Sequence, residues 1–257
     1  MKIADEIKKN YSDIFNDLPS KGKGNLRFGR SLVNVSSIAG QYYCEKKLEM
    51  EKEFPLPATE RMQEGEASHE AITTLAEPLT REEAIIEAVA QREEAICIYE
   101  FGVAWLHKDV PIIGKVDEAW FRASNLDLVV ERKFTNRLQV YSSYHVQAQL
   151  YCLGLGEMGF NNDDTQYRII TLKPNCHDCE KLIDRSCPIF DTDKADFSCE
   201  VGETKAFLYP FRKEDIVKDL DWALDFWLGK RKAIPSRNHA KCRACEYGGM
   251  CNSSLAK

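Results

Sequence analysis

The segment VPIIGKVDEAWFRASNLDLVVERKF, residues 110–134, decides the fold class and carries the main chemical motif. Two runs rich in β-branched and aromatic residues flank a short polar stretch, which is typical of a β-hairpin. A turn centred on Ser124 places Asp117 directly opposite Glu131, and Lys133 lies on the same face because strand side chains alternate. The segment therefore predicts two carboxylates and an ammonium group side by side.

Two carboxylates this close repel each other unless a cation or a proton lies between them. Asp117, Glu131 and the backbone carbonyl of Arg132 suit Mg²⁺ or Mn²⁺, which would bind phosphate oxygens and an attacking water. Lys133 would stabilise charge that develops on the phosphate. A surface hairpin with an Asp/Glu/Lys salt-bridge ladder is the alternative, and spacing alone does not choose between the two.

Three further polar residues fall on helices predicted beside this hairpin. His69 lies on a helix that precedes the sheet and would supply an imidazole ligand to the same cation. Gln147 and Tyr151 are four residues apart on a predicted helix over 142–158 and therefore share a face. From that face they would hold the substrate backbone or order Lys133, although such residues also occur in ordinary helices.

The periodicity of the remaining chain predicts an α/β protein whose first third is helical. Helices are expected at residues 4–18, from Ser36 or Ser37 as the cap to 54, and at 59–75, 81–95, 142–158 and 213–232. Strands are expected at residues 96–106, 110–121, 126–134, 167–172 and 204–211, the first three in antiparallel sequence. Three regions follow: an N-terminal helical region (1–95), a core (96–234) with an irregular Cys-containing insert at 174–203, and a C-terminal Cys-rich tail (235–257).

Composition and charge limit the class of protein. The chain has 257 residues, 44% of them apolar, so it can bury a substantial core. No apolar run approaches the roughly 20 residues that cross a bilayer, and the start lacks a signal-peptide core, so we expect a cytoplasmic protein that does not enter the membrane. The net charge of −6 argues against coating nucleic acid through average charge. Two acid-free basic stretches, 18–33 and 230–243, would form a local phosphate-attracting surface or two solvated loops.

Ten cysteines are unusual for a reducing compartment, where clustered thiols more commonly hold metal than disulfides. Cys242, Cys245 and Cys251 place three thiols in the tail, and Cys44 would supply a distant fourth. Zinc sites usually assemble from two local pairs, so this three-plus-one arrangement favours an iron–sulfur cluster over Zn²⁺.

A second group of thiols, Cys176, Cys179, Cys187 and Cys199, lies in the predicted insert. Four thiols in so short a segment would hold Zn²⁺ and stabilise a stretch without regular structure. Their uneven spacing is unlike that of a zinc ribbon, so incidental thiols are the alternative.

In their order along the chain, these motifs resemble those of the RecB-type branch of the PD-(D/E)xK nucleases. The matching residues are Gly65 and His69 of Gly-x-x-x-His, Gly114 and Asp117 of Gly-x-x-Asp, Glu131 and Lys133 of Glu-x-Lys, and Gln147 and Tyr151 of Gln-x-x-x-Tyr. The resemblance covers roughly Ser36 to Cys251. It implies a restriction-endonuclease-like mixed β-sheet flanked by helices, and a metal-dependent DNA nuclease.

Within that branch, the chain is similar to the iron–sulfur subgroup, which includes the CRISPR-associated RecB-like exonucleases and the AddB-type helicase–nuclease subunits. This resemblance implies a four-iron four-sulfur clasp held by Cys44, Cys242, Cys245 and Cys251, although Glu45-Lys46 stands where the family often has Pro and a basic residue. It also implies an exonuclease that acts on single-stranded DNA ends with Mg²⁺ or Mn²⁺. The implied catalytic residues are Asp117, Glu131, Lys133, Gln147 and Tyr151, and the implied metal-site residues are His69, Asp117, Glu131 and Arg132.

Two other functions stay open from the sequence. One is a CRISPR adaptation or DNA-end-processing factor that acts within a complex, beside an integrase or a helicase. The chain has no Walker-type phosphate loop, so it would not itself be that helicase. The other is an iron–sulfur protein that senses redox state and binds DNA.

Overall fold

A computed structural model describes residues 26–57, 79–91, 93–173, 179–183, 186–191, 197–199 and 204–256, together with residues 5, 7–9, 18, 63 and 176. These residues form a mixed α/β fold in which helices flank a seven-stranded mixed sheet. The strands are β1 (Val33–Asn34), β2 (Ile96–His107), β3 (Val110–Arg122), β4 (Asn125–Phe134), β5 (Gln166–Leu172), β6 (Phe197–Ser198) and β7 (Thr204–Pro210). The helices are α1 (Val35–Glu53), α2 (Arg81–Val89), α3 (Ser142–Glu157), α4 (Glu180–Ile183), α5 (Lys213–Trp227) and α6 (His239–Ala244).

The predicted α/β class and the antiparallel order of β2, β3 and β4 are confirmed. Several predicted helix ends are wrong. The helix expected over 81–95 ends at Val89, and the helix expected to reach residue 232 ends at Trp227. Neither Ser36 nor Ser37 caps α1, because that helix follows β1 directly and Asn34 occupies the cap position. The tail from residue 235 contains a short helix, α6, rather than loop alone.

The predicted helix over 59–75 lies outside the described residues apart from Gln63, and most of the predicted helix over 4–18 does too. His69 and Gly65 are therefore among the expected residues about which the structure says nothing. In the part of the chain that is described, no helix is both long and apolar enough to cross a bilayer.

Strand β3 organises the sheet. Its whole length pairs with β2 along one edge, while the other edge is shared by two strands. On that shared edge, Ile112 pairs with Val33 of β1, and Glu118 pairs with Val130 of β4. The two strands of the central hairpin therefore separate just before Glu118. Strand β4 then runs parallel to β5, with α3 as the crossover.

Different parts of the chain pack on the two faces of the sheet. The main core lies on the face of Val129 and Ile169, where α1, α2 and α3 pack against the strands and α5 packs against α1 and α3. Helix α5 contributes the apolar face that its sequence predicts: Ile216, Leu220, Ala223, Leu224 and Trp227 are all buried. On the opposite face, Val130 and Ile170 pack against the insert between β5 and β7. Each strand of the central hairpin is consequently buried on both sides.

Candidate active site

The register of the central hairpin depends on two local features. The connection between β3 and β4 is a two-residue turn, Ala123-Ser124, in which both residues have positive φ (49° and 75°), as in a type I′ turn. The ladder then shifts by one residue between Trp120 and Phe121, so that β4 contributes one extra residue. After this bulge Glu118 pairs with Val130, which makes positions 117 and 131 the next opposed positions.

Asp117, Glu131 and Lys133 share the face of the sheet that is covered by α3. The Lys133 ammonium forms an ion pair with the Glu131 carboxylate, and the Arg132 N–H donates to Asp117 Oδ2 at 2.6 Å. The Asp117 side chain thus takes a hydrogen bond that a continuing ladder would have given to the backbone of β3. In an extended strand the N–H and C=O of one residue point to the same edge, so the Arg132 carbonyl also faces the opening where β3 and β4 separate. This opening, with Asp117, Glu131 and Lys133, is called the fork below.

A chain of hydrogen bonds fixes the position of the lysine. Lys133 Nζ donates to Gln147 Oε1 at 2.9 Å, and Gln147 Nε2 donates to the Tyr151 hydroxyl at 3.1 Å. Burial by itself would lower the pKa of Lys133, but the charges of Glu131 and Asp117 outweigh it and raise that pKa above 10.5. Lys133 is therefore protonated, and its contacts with Glu131 and Gln147 fix its position. Gln147 contacts Lys133 directly, and Tyr151 contacts Gln147.

Tyr151 approaches the sheet closely because residue 114 is glycine. A Cβ atom at Gly114 would lie 2.7 Å from Tyr151 Cε1 and 2.9 Å from Val35 Cγ2, both too near for van der Waals contact. Burial, followed by the charges of Glu131 and Asp117, raises the pKa of the Tyr151 hydroxyl well above 10, so it stays neutral. The glycine of the Gly-x-x-Asp motif thus makes room for the residue that ends the hydrogen-bond chain.

The other side of the same strands carries a separate ion pair. The side chain of Arg132 points away from the carboxylates, as the alternation predicts, and pairs with Glu118. Both residues are 2% exposed, and the guanidinium carbon lies 5.4 Å from the centre of the Tyr99 ring. Arg132 can therefore serve the fork through its backbone only.

Within the described residues, no three His, Cys, Asp or Glu side chains converge as the ligands of a single metal ion. At the fork the available oxygen donors are the carboxylates of Asp117 and Glu131 and the carbonyl of Arg132. Hard divalent cations such as Mg²⁺ bind through one or two carboxylates and keep several waters. The oxygen donors at the fork fit such an ion.

The four cysteines assigned to the clasp line a single, partly open pocket. Cys44 enters it from α1, and Cys242, Cys245 and Cys251 enter it from the tail. Lys47 and Lys241 also line the pocket, where their charges would offset thiolates. Four thiols from one helix and one tail around a shared space fit the donor set of an iron–sulfur cluster.

Local backbone structure brings the thiols to this pocket. Helix α1 is interrupted at Cys44, whose φ of −173° and ψ of 117° are extended. The Ser236 N–H donates to Cys44 Sγ at 3.3 Å, a type of bond that stabilises a thiolate. In the tail, a Cβ atom at Gly248 would lie 2.6 Å from the carbonyl oxygen of Cys242, so only glycine allows this tight loop. The sequence signal for that loop is the run of turn residues between Cys245 and Cys251.

Glu45 is a structural residue that the sequence reasoning missed. It is 1% exposed, and its carboxylate accepts hydrogen bonds from Arg231 Nη1 and Nη2 at 2.5 Å each and from the Ile234 N–H at 2.8 Å. Gln41 adds a further bond to it at 2.8 Å. The available signal was a polar pair, Gln41 and Glu45, at helical spacing on the face that also buries Ile38. This tether joins α1 to the segment that leads into the tail.

Three cations of the two basic stretches make contacts within the protein. Arg27 donates to the carbonyls of Phe226 and Arg231 at 2.8 and 2.6 Å and pairs with Glu49. Arg231 is held by Glu45, and Lys241 Nζ donates to the Tyr42 carbonyl at 3.0 Å. These three cations join the ends of the chain to each other, so they are not available to phosphates.

Fold and site together define a mixed α/β protein with a carboxylate–lysine fork on one sheet face and a thiol-lined pocket between α1 and the tail. No family model and no curated protein matches the chain. Among solved structures the chain is similar to one described as the crystal structure of SSO0001, with 12% identity and a TM-score of 0.47 over 99% of this chain and 98% of that one.

Proposed function

We propose that this protein is a metal-dependent deoxyribonuclease of the RecB-type PD-(D/E)xK branch, an exonuclease on single-stranded DNA ends. The observation that carries this proposal is that Asp117, Glu131 and Lys133 share one face where β3 and β4 separate. When bound at the fork, Mg²⁺ or Mn²⁺ would polarise the phosphodiester and acidify a bound water. An ordinary surface salt-bridge ladder would be exposed, whereas Glu131 is 1% and Asp117 7% exposed.

Several groups of the protein would bind that ion. Asp117 and Glu131 would be its ligands, together with the Arg132 carbonyl, and His69 would assist. The Arg132 N–H already orients the Asp117 carboxylate, so one of its oxygens is fixed toward β4. A ligand held in place by a backbone donor loses little conformational entropy when it binds an ion.

Lys133 would stabilise negative charge on the phosphate or orient the attacking water. Since the Glu131 carboxylate and Gln147 Oε1 both hold its ammonium, Lys133 is positioned before substrate arrives. Gln147 and Tyr151 are positioning residues in this scheme. They act through the lysine rather than through the reacting atoms.

We also propose that Cys44, Cys242, Cys245 and Cys251 hold a four-iron four-sulfur cluster with a structural role. The shared pocket, the bond from the Ser236 N–H to Cys44 and the two neighbouring lysines support this assignment. Because metal-binding energy is folding energy at sites of this kind, loss of the cluster would loosen α1 and the tail together.

The nuclease proposal is tested with the full chain purified without oxygen and end-labelled single-stranded DNA in the presence of Mn²⁺. We expect wild-type protein to shorten the DNA, and Asp117→Asn and Lys133→Met each to slow cleavage about 100-fold or more. Asp127→Asn is the matched control, because Asp127 is a β4 carboxylate that bonds Arg122 outside the fork. Equal cleavage by wild type and both fork variants would remove the assignment.

The same preparation separates the alternatives. Cleavage that appears only when an integrase is added would favour the DNA-end-processing partner. The redox sensor would be favoured if removal of the cluster leaves cleavage unchanged and if the reduction potential of the cluster controls DNA binding. Iron and acid-labile sulfide at about four each per chain, lost in Cys245→Ala, would support the cluster. A colourless product that contains zinc alone in this pocket would replace it with a structural zinc site.

A further inference from the structure

The insert between β5 and β7 covers one face of the sheet, and the part of it that the structure describes contains only short elements. Its described elements are the four-residue α4, a three-residue 3₁₀ turn at Pro188–Phe190 and the two-residue β6. Elements this short do not stabilise themselves. The insert nevertheless buries Leu128, Val130, Ile170, Leu172 and Ala206 of the sheet.

Cysteines form part of the contact surface that the insert presents to the sheet. Among the described insert residues of this second core, Cys176, Cys187 and Ile189 are buried, and Cys179 and Phe190 pack against them. Two of these three buried residues are therefore cysteines. Short segments without a large core of their own are commonly stabilised by a metal ion or by disulfides.

Hydrogen bonds bring three of the insert cysteines, Cys176, Cys179 and Cys199, near one another. The Cys179 N–H donates to the Cys176 carbonyl at 3.0 Å, which closes a tight turn. Cys176 Sγ lies 3.4 Å from Thr204 Oγ1, and the Cys199 N–H donates to the Thr204 carbonyl at 3.1 Å, so both cysteines flank the start of β7. The Cys187 thiol lies in the same cluster.

Cys187 and Cys179 belong to the same buried cluster as Cys176, and the Cys187 N–H donates to the Lys181 carbonyl at 2.7 Å. Thiolates that lie close together repel one another, and a shared cation would stabilise them. The four described insert thiols are free of disulfides.

We propose that Cys176, Cys179, Cys187 and Cys199 form a four-thiolate structural zinc site that fastens the insert to the sheet. This site is independent of the clasp pocket, which is lined by Cys44 of α1 and three cysteines of the tail, and of the proposed nuclease activity. Among the described residues these thiols are not placed as the ligands of one ion, so binding requires rotation of their side chains about the Cα–Cβ bonds. Binding releases the thiol protons, and Zn–S distances of about 2.3 Å are expected.

The test measures zinc and iron in the full chain purified without oxygen from medium that contains both metals. We expect about one zinc per wild-type chain, retained in the control Cys97→Ser and lowered at least fivefold in Cys187→Ser, with iron unchanged in all three. Cys97 is a suitable control because it lies in β2, outside the insert. Zinc that survives Cys187→Ser but is lost in Cys242→Ser would overturn the proposal.

A second measurement, made on wild-type protein, tests the proposal even if the Cys187→Ser variant does not fold. Wild-type protein loaded with Co²⁺ in place of zinc should show the ligand-field bands of a tetrahedral four-thiolate site, and alkylation of the native protein should then spare the four insert cysteines. The proposal fails if the insert thiols are alkylated freely, if they are found as disulfides, or if they carry iron.

Discussion

The buried contact between Glu45 and Arg231 gives the sharpest stability prediction. Replacing Glu45 by Gln removes the negative charge but keeps the size of the side chain, so the Arg231 guanidinium loses its counterion in a site where it is 20% exposed. Breaking a buried ion pair from one side costs about 3–5 kcal/mol. Arg231 keeps its contact with the Trp222 ring at 4.1 Å and its bond to the Trp222 carbonyl, which lowers the expected loss to about 2–4 kcal/mol.

Urea unfolding of the full chain, followed by circular dichroism, measures this loss. The midpoint should fall while the slope m stays unchanged, because the surface exposed on unfolding is the same. For a chain of this length the same loss corresponds to a melting temperature lower by roughly 4–16 °C. The matched control is Glu51→Gln in the same helix, whose pair with Lys47 at 3.4 Å is exposed and is worth at most about 0.5 kcal/mol.

A free energy of unfolding for Glu45→Gln within about 0.5 kcal/mol of the Glu51→Gln value would refute this reasoning. It would mean that the guanidinium finds equivalent partners without the carboxylate. A double-mutant cycle with Arg231→Met then separates the pair's own coupling from the packing of the arginine stem.

The pH dependence of the same contact has a definite sign. Burial raises the pKa of Glu45, but the hydrogen bonds from Arg231, the Ile234 N–H and Gln41 outweigh it, and the net pKa lies below 4.5. A carboxyl whose folded pKa is depressed contributes its stability above the unfolded pKa and loses it as pH falls through the folded one. The stability difference between wild type and Glu45→Gln should therefore be constant between about pH 6 and 8 and shrink below about pH 4.5. A difference that grows on acidification contradicts the assignment.

Two further predictions concern the fork. Gly114→Ala should destabilise the protein by about 1–3 kcal/mol in urea unfolding, because the new Cβ atom would collide with Tyr151. The control is Gly249→Ala, which has no atom within 4 Å of the new Cβ and should stay within about 0.5 kcal/mol of wild type. Equal stabilities of the two variants would show that α3 shifts freely. Calorimetric titration measures the affinity of the fork for Mn²⁺. Lys133→Met should bind Mn²⁺ several-fold more tightly than wild type, because its ammonium no longer repels the ion, and Asp117→Asn should bind it at least tenfold more weakly. Unchanged affinity in both variants would place the ion elsewhere.

The sequence predicts the central hairpin well because strand periodicity, turn composition and motif spacing all act within 25 residues. The strands β2, β3 and β4 begin and end within one or two residues of the predicted positions. Helix ends are less well predicted. The residues beyond Val89 keep helical composition although the backbone leaves the helix at Ala90, whereas Gly229, with a φ of 70°, marks the end of the helix that finishes at Trp227. Propensity alone does not locate such an end.

The tether of Glu45 shows what the sequence does not reveal. Its partner Arg231 is 186 residues away, and no pattern in the sequence indicates which residue pairs with Glu45. Glu45 also departs from the family pattern at the position after the first cluster ligand, Cys44. In the structure this glutamate anchors the adjacent Cys44 and the segment before the tail.

The fork itself depends on the bulge as much as on the motif. The two-residue turn pairs Arg122 with Asn125, and without the bulge this register would continue to place residue 117 opposite 130 and residue 131 opposite 116. Glu131 would then face the opposite side of the sheet from Asp117, because a one-residue slip inverts every side chain. The extra residue on β4 brings positions 117 and 131 back to one face of the sheet, across the two-residue turn Ala123-Ser124 rather than a turn centred on Ser124. Deleting Asp127 on β4 should therefore separate the two carboxylates, whereas Asp127→Asn leaves the register, and with it the fork, intact.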